Sequence, residues 1–427
     1  MLPAASTRRS AKLLLVISLL ISLGHWFLRG QSYGLASSGC TRREIHQPAL
    51  FARGQERMLD AHSLLLDSPT KQFEFRTDLK AHILVTGGAG FIGSHCVLAL
   101  LQRGYAVSTV DNLSRGNKAA ISALRKLATP GSFRAVYGDL GSSQDVEAVF
   151  KSANVPIYAV FHFAAIAYVA ESVEDPLRYY SNITTNTINL LHVMSSLGVS
   201  KLVYSSTCAT YGNVERLPIT ELTPTNPINP YGKSKLYAEN AIRDYARANG
   251  QFKATILRYF NVFGSDPEGR IGELPRPELR KHDRISGACF DVALRRMNRL
   301  TIMGTEHPTR DGTTVRDFVH VVDLVNAHIA VMENDKWDNP PSLYNVGTGH
   351  GVSMREFVES CKAVTGQDID VYFRKEPRPG DYAEVYANVD KIKRELGWSA
   401  KYTNLSESLS HAWNFRKEVA LKGVWGR

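Results

Sequence analysis

"ILVTGGAGFIGSH", residues 83–95, is an apolar run that breaks into glycines and then turns apolar again. Gly87, Gly90 and Gly93 stand three apart, directly after a strand-like run and directly before a helix-like one. That context suits a dinucleotide cradle: one glycine permits the tight turn, another lets a pyrophosphate approach the backbone, and a third lets helix and strand pack closely. The next apolar run, "AVSTVD", ends in Asp111, 18 residues beyond Gly93. A carboxylate there accepts hydrogen bonds from an adenosine ribose and repels a 2′-phosphate, so the spacing favours NAD over NADP.

Working outward, strand-like and helix-like segments alternate. "HILVT" reads as a buried strand, "GFIGSHCVLALLQRGY" as a helix closing at Gly104, and "AVSTVD" as a second strand. A helical stretch (117–128), the strand "RAVYGD", a helix (143–152) and the strand "YAVFHFAA" follow, and "KLVYSS" and "KATILRYFN" continue the series. Such alternation predicts an α/β fold, a Rossmann-type doubly wound parallel sheet with helices on both faces. Asp139 closes the third strand, where an acid either meets the adenine amino group or caps the following turn; the setting favours adenine. Beyond residue 262 the pattern loosens around "GRIGELPRPELRKHDRIS", marking a smaller C-terminal substrate-binding lobe. The expected organisation is therefore a Rossmann domain over 80–262 and mainly a substrate lobe over 263–427.

The chemistry is carried by "YGKSK", in which Tyr231 and Lys235 lie four apart and so share one helical face. A phenol with a pKa near 10 is too weakly acidic to act as a base at neutral pH. A neighbouring ammonium and a positive nicotinamide ring would both lower it, letting Tyr231 take a proton from a substrate hydroxyl while hydride leaves for NAD⁺. Thr207, in "SSTCATYG", can supply a hydroxyl that shares that proton.

The amino terminus points elsewhere. Arg8, Arg9 and Lys12 precede "LLLVISLLISLGHWFL", an uncharged run over 13–28 that ends in bulky Trp26-Phe27-Leu28 before Arg29. This predicts a cytosolic tail (1–12), an uncleaved signal-anchor transmembrane helix (13–30) and a luminal stem (31–79). The small residues of "GLASSG" at 34–39 leave a cleaved signal peptide as the other reading. In the stem, the apolar "HSLLLDS" is positioned to dock on the body. Residues 1–80 hold 11 Lys and Arg against 6 Asp and Glu, half of the net charge of +10. The rest is only mildly basic, which argues against a nucleic-acid partner and suits an anionic small substrate. Five widely spaced cysteines without CxxC or CxxH spacing indicate neither a metal site nor a disulfide framework.

From about residue 81 to 415 the chain resembles the extended short-chain dehydrogenase/reductases of the UDP-sugar 4-epimerase family. TGGAGFIGSH, VDN, GDL, HFAA, SSTCATYG, YGKSK, LRYFN and VRDFVHVVDL stand in the family's order. The anchor, the stem and the Arg/Pro-rich insertion resemble the plant Golgi UDP-arabinose 4-epimerases in particular. The resemblance implies further coenzyme contacts at Phe91, Ile92, Asn112, Leu140, Phe163 and Ala164. It also implies a UDP-sugar site lined by Asn182, Thr207, Tyr231, Asn261, Arg316, Arg378 and Asp381, with both arginines on the diphosphate. Tyr259 and Phe260 read as packing residues. Many bacterial hexose epimerases carry a Lys where this chain has Ala167, so one coenzyme contact must be replaced. The uracil-side segment "RISGACFD" departs from the family pattern too.

The resemblance implies NAD-dependent inversion at C4 of a UDP-sugar, interconverting UDP-xylose and UDP-L-arabinopyranose, in a luminally facing type II Golgi membrane protein that forms a homodimer. Alternatives are a UDP-glucose/UDP-galactose or dual-specificity 4-epimerase, and a non-catalytic NAD-binding scaffold on the same fold. A dehydratase needs acid/base carboxylates beside Thr207, where this chain has Cys208 and Ala209. Of the three Asn-x-Ser/Thr sequons, Asn112 and Asn182 fall in the expected sites, leaving Asn404 as the plausible glycan acceptor.

Overall fold

The computed structural model describes residues 66–276, 279, 284–378 and 380–422. The expected tail and anchor, and the stem up to residue 65, lie outside the described residues, among which no helix is long and apolar enough to cross a membrane.

The first half runs β1 (Lys80–Thr86), α1 (Phe91–Gln102), β2 (Tyr105–Asp111), α2 (Lys118–Leu127), β3 (Phe133–Tyr137), α3 (Ser143–Lys151) and β4 (Ile157–His162). It continues through α4 (Val169–Glu174), α5 (Pro176–Tyr179), a π-helical turn (Tyr180–Thr185), α6 (Asn186–Ser196), β5 (Lys201–Thr207), α7 (Pro230–Ala248) and β6 (Lys253–Tyr259). The second half holds β7 (Asn261–Phe263), α8 (Ile285–Ala293), β8 (Leu300–Met303), β9 (Val315–His320), α9 (Val321–Glu333) and β10 (Ser342–Val346). It ends with β11 (Gly351–Ser353), α10 (Met354–Thr365), β12 (Val371–Arg374), β13 (Glu384–Val385), α11 (Asp390–Leu396) and α12 (Leu405–Leu421).

Seven strands form the main sheet in the order β10-β6-β5-β4-β1-β2-β3, every pairing parallel. Helices cover both faces, which is why its strands are nearly continuous apolar runs. The pleat divides them: Ile83 and Val85 join one core with Phe161, while Leu84 joins the opposite core with Val160. Strand order reverses between β1 and β4, and an open α/β sheet binds its ligand at the carboxyl ends on either side of such a switch. The glycine loop leaves β1 there, and Phe163-Ala164 leaves β4.

The second half contributes to both lobes. α9 packs on α1 through Leu324 and Val325 against Val97 and Leu100, and β10 forms one edge of the main sheet. The remaining strands build two small sheets around a third core containing Phe290, Phe357 and Trp413. The loosened sequence pattern beyond residue 262 thus conceals one more crossover of the Rossmann sheet.

The docking expected of "HSLLLDS" is visible from Leu66, which is buried in the main core. The Asp67 amide donates to Ala135 O at 2.8 Å and the Tyr137 amide to Asp67 O at 3.0 Å, so the segment lies along the outer edge of β3. Buried Arg134 donates to Lys71 O at 2.7 Å and to Ser152 Oγ at 2.6 Å, tying the same segment down. Covering β3 removes a row of unpaired backbone groups that would otherwise invite association.

Candidate active site

The glycine loop is shaped by contacts that a side chain would obstruct. Gly87 has φ +75°, and a Cβ on it would sit 2.8 Å from Ala164 Cα; one on Gly93 would sit 2.2 Å from Gly87 O. Both positions must lack a side chain for β1, α1 and the β4 exit to meet. No side chain caps α1 and no acid stands in its first turn, so its amino-terminal amides and partial positive charge remain available to an anion. The cleft of about 140 Å³ beside the loop is lined by Gly87, Gly90, Phe91, Ile92, Gly93, Asp111, Asn112, Leu140, Phe163 and Ala164, all expected as coenzyme contacts.

Asp111 Oδ2 accepts from the Ala89 amide at 3.0 Å and Oδ1 from the Leu113 amide at 2.8 Å. A carboxylate has about four acceptor positions, so two remain for ribose hydroxyls. Burial pushes the Asp111 carboxyl up, and the two amides oppose that shift. Asp139, outside the lining, is engaged within the protein: Oδ1 accepts from the Gly141 amide at 2.7 Å and Oδ2 from Asn112 Nδ2 at 2.7 Å. Asp139 thus caps its own turn and, like Asp111, keeps two acceptor positions. These residues fit NAD through the bare cradle, the uncapped helix and the paired acceptors of Asp111.

Behind the cleft, Thr86 Oγ1 accepts from the Ala164 amide at 3.2 Å and donates to His162 Nδ1 at 2.7 Å. His162 Nε2 then donates to Thr187 Oγ1 at 3.1 Å, since that hydroxyl spends its own proton on Ile183 O at 2.6 Å. The ring is therefore neutral, and burial, with nearby Lys235, pulls its pKa down to about 3. Burial likewise holds His82, His95 and His328 down to about 4 and His320 to about 3. Each folded pKa lies below the unfolded value of about 6.5, so the stabilisation is complete above pH 6.5 and is lost as pH falls toward the folded values. The free energy of urea unfolding should drop steeply between pH 6 and 4, with a slope approaching about 1.4 kcal/mol per pH unit for each histidine. A flat profile there would contradict the buried neutral rings.

The reacting groups converge from two elements. Asn229 caps α7 by accepting from the Gly232 amide at 2.8 Å, and Pro230 opens the helix. Tyr231 therefore sits in the first turn and Lys235 one turn on, both lining the cleft. Thr207 ends β5, where its hydroxyl oxygen accepts from the Ala209 amide at 3.1 Å. Burial and the neighbouring Tyr259 push the Tyr231 phenol well above its ordinary range, with Thr207 opposing. Lys235 Nζ donates to Ser205 O at 2.7 Å, and burial pulls its pKa down to about 7 against the opposing Glu239 carboxylate. The lowering expected from the ammonium and the positive nicotinamide ring together therefore works against burial, since the dry pocket penalises both charges.

Of the expected substrate residues, Asn182 lines the cleft and accepts from the Ile166 amide at 2.8 Å. Asn261, Arg316, Arg378 and Asp381 lie outside that lining. Arg316 is buried, donating to Tyr382 O at 2.6 Å and to Asp381, while Asn261 and Arg378 are exposed. The structure thus joins Arg316 to Asp381 as an internal ion pair and leaves Arg378 at the surface.

Tyr259, expected as packing, lines the cleft beside Lys235, as do Arg115 and Arg284. Glu239 was also missed, although Tyr231, Lys235 and Glu239 share one helical face at intervals of four. Its carboxylate, fully buried, accepts from Ser206 Oγ at 2.5 Å, Arg258 Nε at 2.8 Å and Arg258 Nη2 at 2.6 Å. Among the described residues no cluster of side chains suits a metal ion, and Cys96, Cys208, Cys289 and Cys361 are free thiols.

Residues 83–347 match the NAD dependent epimerase/dehydratase family. A rice (Oryza sativa subsp. japonica) protein named probable UDP-arabinose 4-epimerase 3 is 54% identical over 337 residues, covering 79% of this chain and 82% of its own. The UDP-glucose 4-epimerase of Bifidobacterium longum in complex with NAD⁺ and UDP is similar over 79% of this chain and 98% of its own, with 37% identity and a TM-score of 0.74. That of Stenotrophomonas maltophila, with bound NAD and formylated UDP-arabinopyranose, is similar over 80% of this chain and 100% of its own, with 31% identity and a TM-score of 0.75. A cleft shaped for a dinucleotide, a tyrosine at its floor and these likenesses over most of the chain agree, and the chain belongs to the NAD dependent epimerase/dehydratase family, among the UDP-sugar 4-epimerases.

Proposed function

We propose that this protein inverts C4 of UDP-xylose and UDP-L-arabinopyranose, serving cell-wall polysaccharide synthesis. The observation that carries the reading is the placement of Tyr231 and Lys235, one helical turn apart, in the lining of the glycine-lined cleft. Bound NAD would supply a hydride acceptor and donor and a positive ring. Tyr231 takes the proton from the 4-hydroxyl, Thr207 shares it, and Lys235 stabilises the resulting phenolate. The proton returns to the 4-oxygen from the same phenol after the sugar has presented its other face, so the net oxidation state does not change. Supplied with UDP-xylose and UDP-galactose in parallel and no added NAD, the protein should convert UDP-xylose faster, as resolved by chromatography. Preference for UDP-galactose would move the assignment to hexoses, and conversion of neither would remove it.

The same reading includes a type II Golgi membrane protein with its body in the lumen. Asn404 supports it: this exposed sequon residue caps α12 through its amide oxygen, which accepts from the Glu407 amide at 3.1 Å, while its nitrogen is the glycan-bearing atom. Asn112 and Asn182 hold the cleft together. Treatment of the cell-made protein with peptide-N-glycosidase should remove one glycan, from Asn404; glycans on Asn112 in active protein would refute the site.

A homodimer through α6 and α7 is also part of the reading. Tyr237 on α7 is 50% exposed and stacks on Tyr180, with Leu177 75% and Ile188 38% exposed nearby. This apolar patch suits a second copy of the same surface. Sedimentation should give twice the chain's 47.4 kDa, and a monomer would remove the dimer.

A further inference from the structure

The coenzyme cleft opens onto a second cavity of about 470 Å³, and the two share a rim formed by Gly90, Phe91, Arg115, Ala165, Ala167 and Arg284. A dinucleotide seated against the uncapped end of α1 brings two negative charges to that rim. The helix terminus offsets only about half a charge. Ala167 presents a methyl group there, and Arg284 is paired with Glu273. Arg115 is differently placed. It sits four residues beyond Asp111, its side chain is 15% exposed, and its guanidinium lies 5.2 Å from the centre of the Tyr168 ring while pairing with Glu171. Its Nε is buried without a hydrogen-bond partner among the described residues. A buried, unpartnered N–H on a cation calls for an explanation, and at the rim of an anion's cleft a bound anion supplies one.

Glu171 makes the movement inexpensive. The same carboxylate accepts from Arg178 Nη1 at 3.2 Å and from the Tyr179 hydroxyl at 3.2 Å, so it stays partnered when Arg115 departs. We propose that Arg115 leaves Glu171 when coenzyme binds and holds the coenzyme's diphosphate, Glu171 serving as its resting place. The inference rests on reading the cleft as an NAD site and names the cation that takes over where Ala167 offers none. Arginine suits the task, since its planar fork binds phosphate oxygens in pairs.

The test measures equilibrium binding of NAD and of adenosine, which lacks phosphate, to the full-length protein and to Arg115→Ala, Arg115→Lys and Glu171→Gln. Arg115→Ala should weaken NAD about ten- to a hundredfold, the scale of one charged hydrogen-bonded contact, and leave adenosine unchanged. Arg115→Lys should recover part of the loss, and Glu171→Gln should tighten NAD. NAD binding by Arg115→Ala within twofold of the unaltered protein would overturn the proposal, as would an equal weakening of adenosine. An unaltered protein that binds no NAD would instead remove the coenzyme reading beneath it.

Discussion

Tyr231→Phe should lower kcat by about a hundred- to ten-thousandfold, the span of a positioned acid/base, while bound NAD is retained. The phenol is buried and one helical turn from Lys235, so losing its oxygen deletes the proton acceptor without opening a cavity. Burial holds that phenol well above its ordinary pKa, and the positive ring of bound NAD would oppose that shift. Chromatographic assay of UDP-sugar conversion, with bound NAD read by absorbance, separates the two effects. Activity within tenfold of the unaltered enzyme would refute the role of Tyr231.

Glu239→Ala should cost about 3–5 kcal/mol of folding stability, read from urea unfolding. The carboxylate and its Arg258 partner are both buried, and two donor contacts of 2.8 and 2.6 Å join them. Truncation strands the guanidinium in the core, where desolvation is uncompensated, and frees Ser206, which neighbours Thr207. It also removes the carboxylate that opposes the depression of Lys235. Glu239→Gln keeps acceptor geometry without the charge and should fall between. Unfolding of Glu239→Ala at the unaltered midpoint would show that the pair adds nothing.

Reading the chain by its periodicity recovered the main sheet as far as β6, because strands buried on both faces carry an unbroken apolar run. It missed β10, whose "SLYNV" is short and mixed; only its pairing with β6 makes it a strand. The coenzyme side was legible because each requirement falls on neighbouring residues: a glycine loop, an acid at the next strand end, a tyrosine and lysine one turn apart. The substrate side draws on residues from distant segments. Arg316 and Asp381 are 65 residues apart, and that they pair with each other is a property of the folded chain.

What the sequence determined by itself was local: which segments are strands and helices, where the backbone must lack a side chain, and which groups carry chemistry. The tertiary structure decided the electrostatics. A residue's charge state depends on how much water surrounds it and which groups approach from distant segments. Only the fold could show Lys235 drawn down to about 7, Asp139 tied to Asn112 as well as to its own turn, and Arg115 at rest on Glu171.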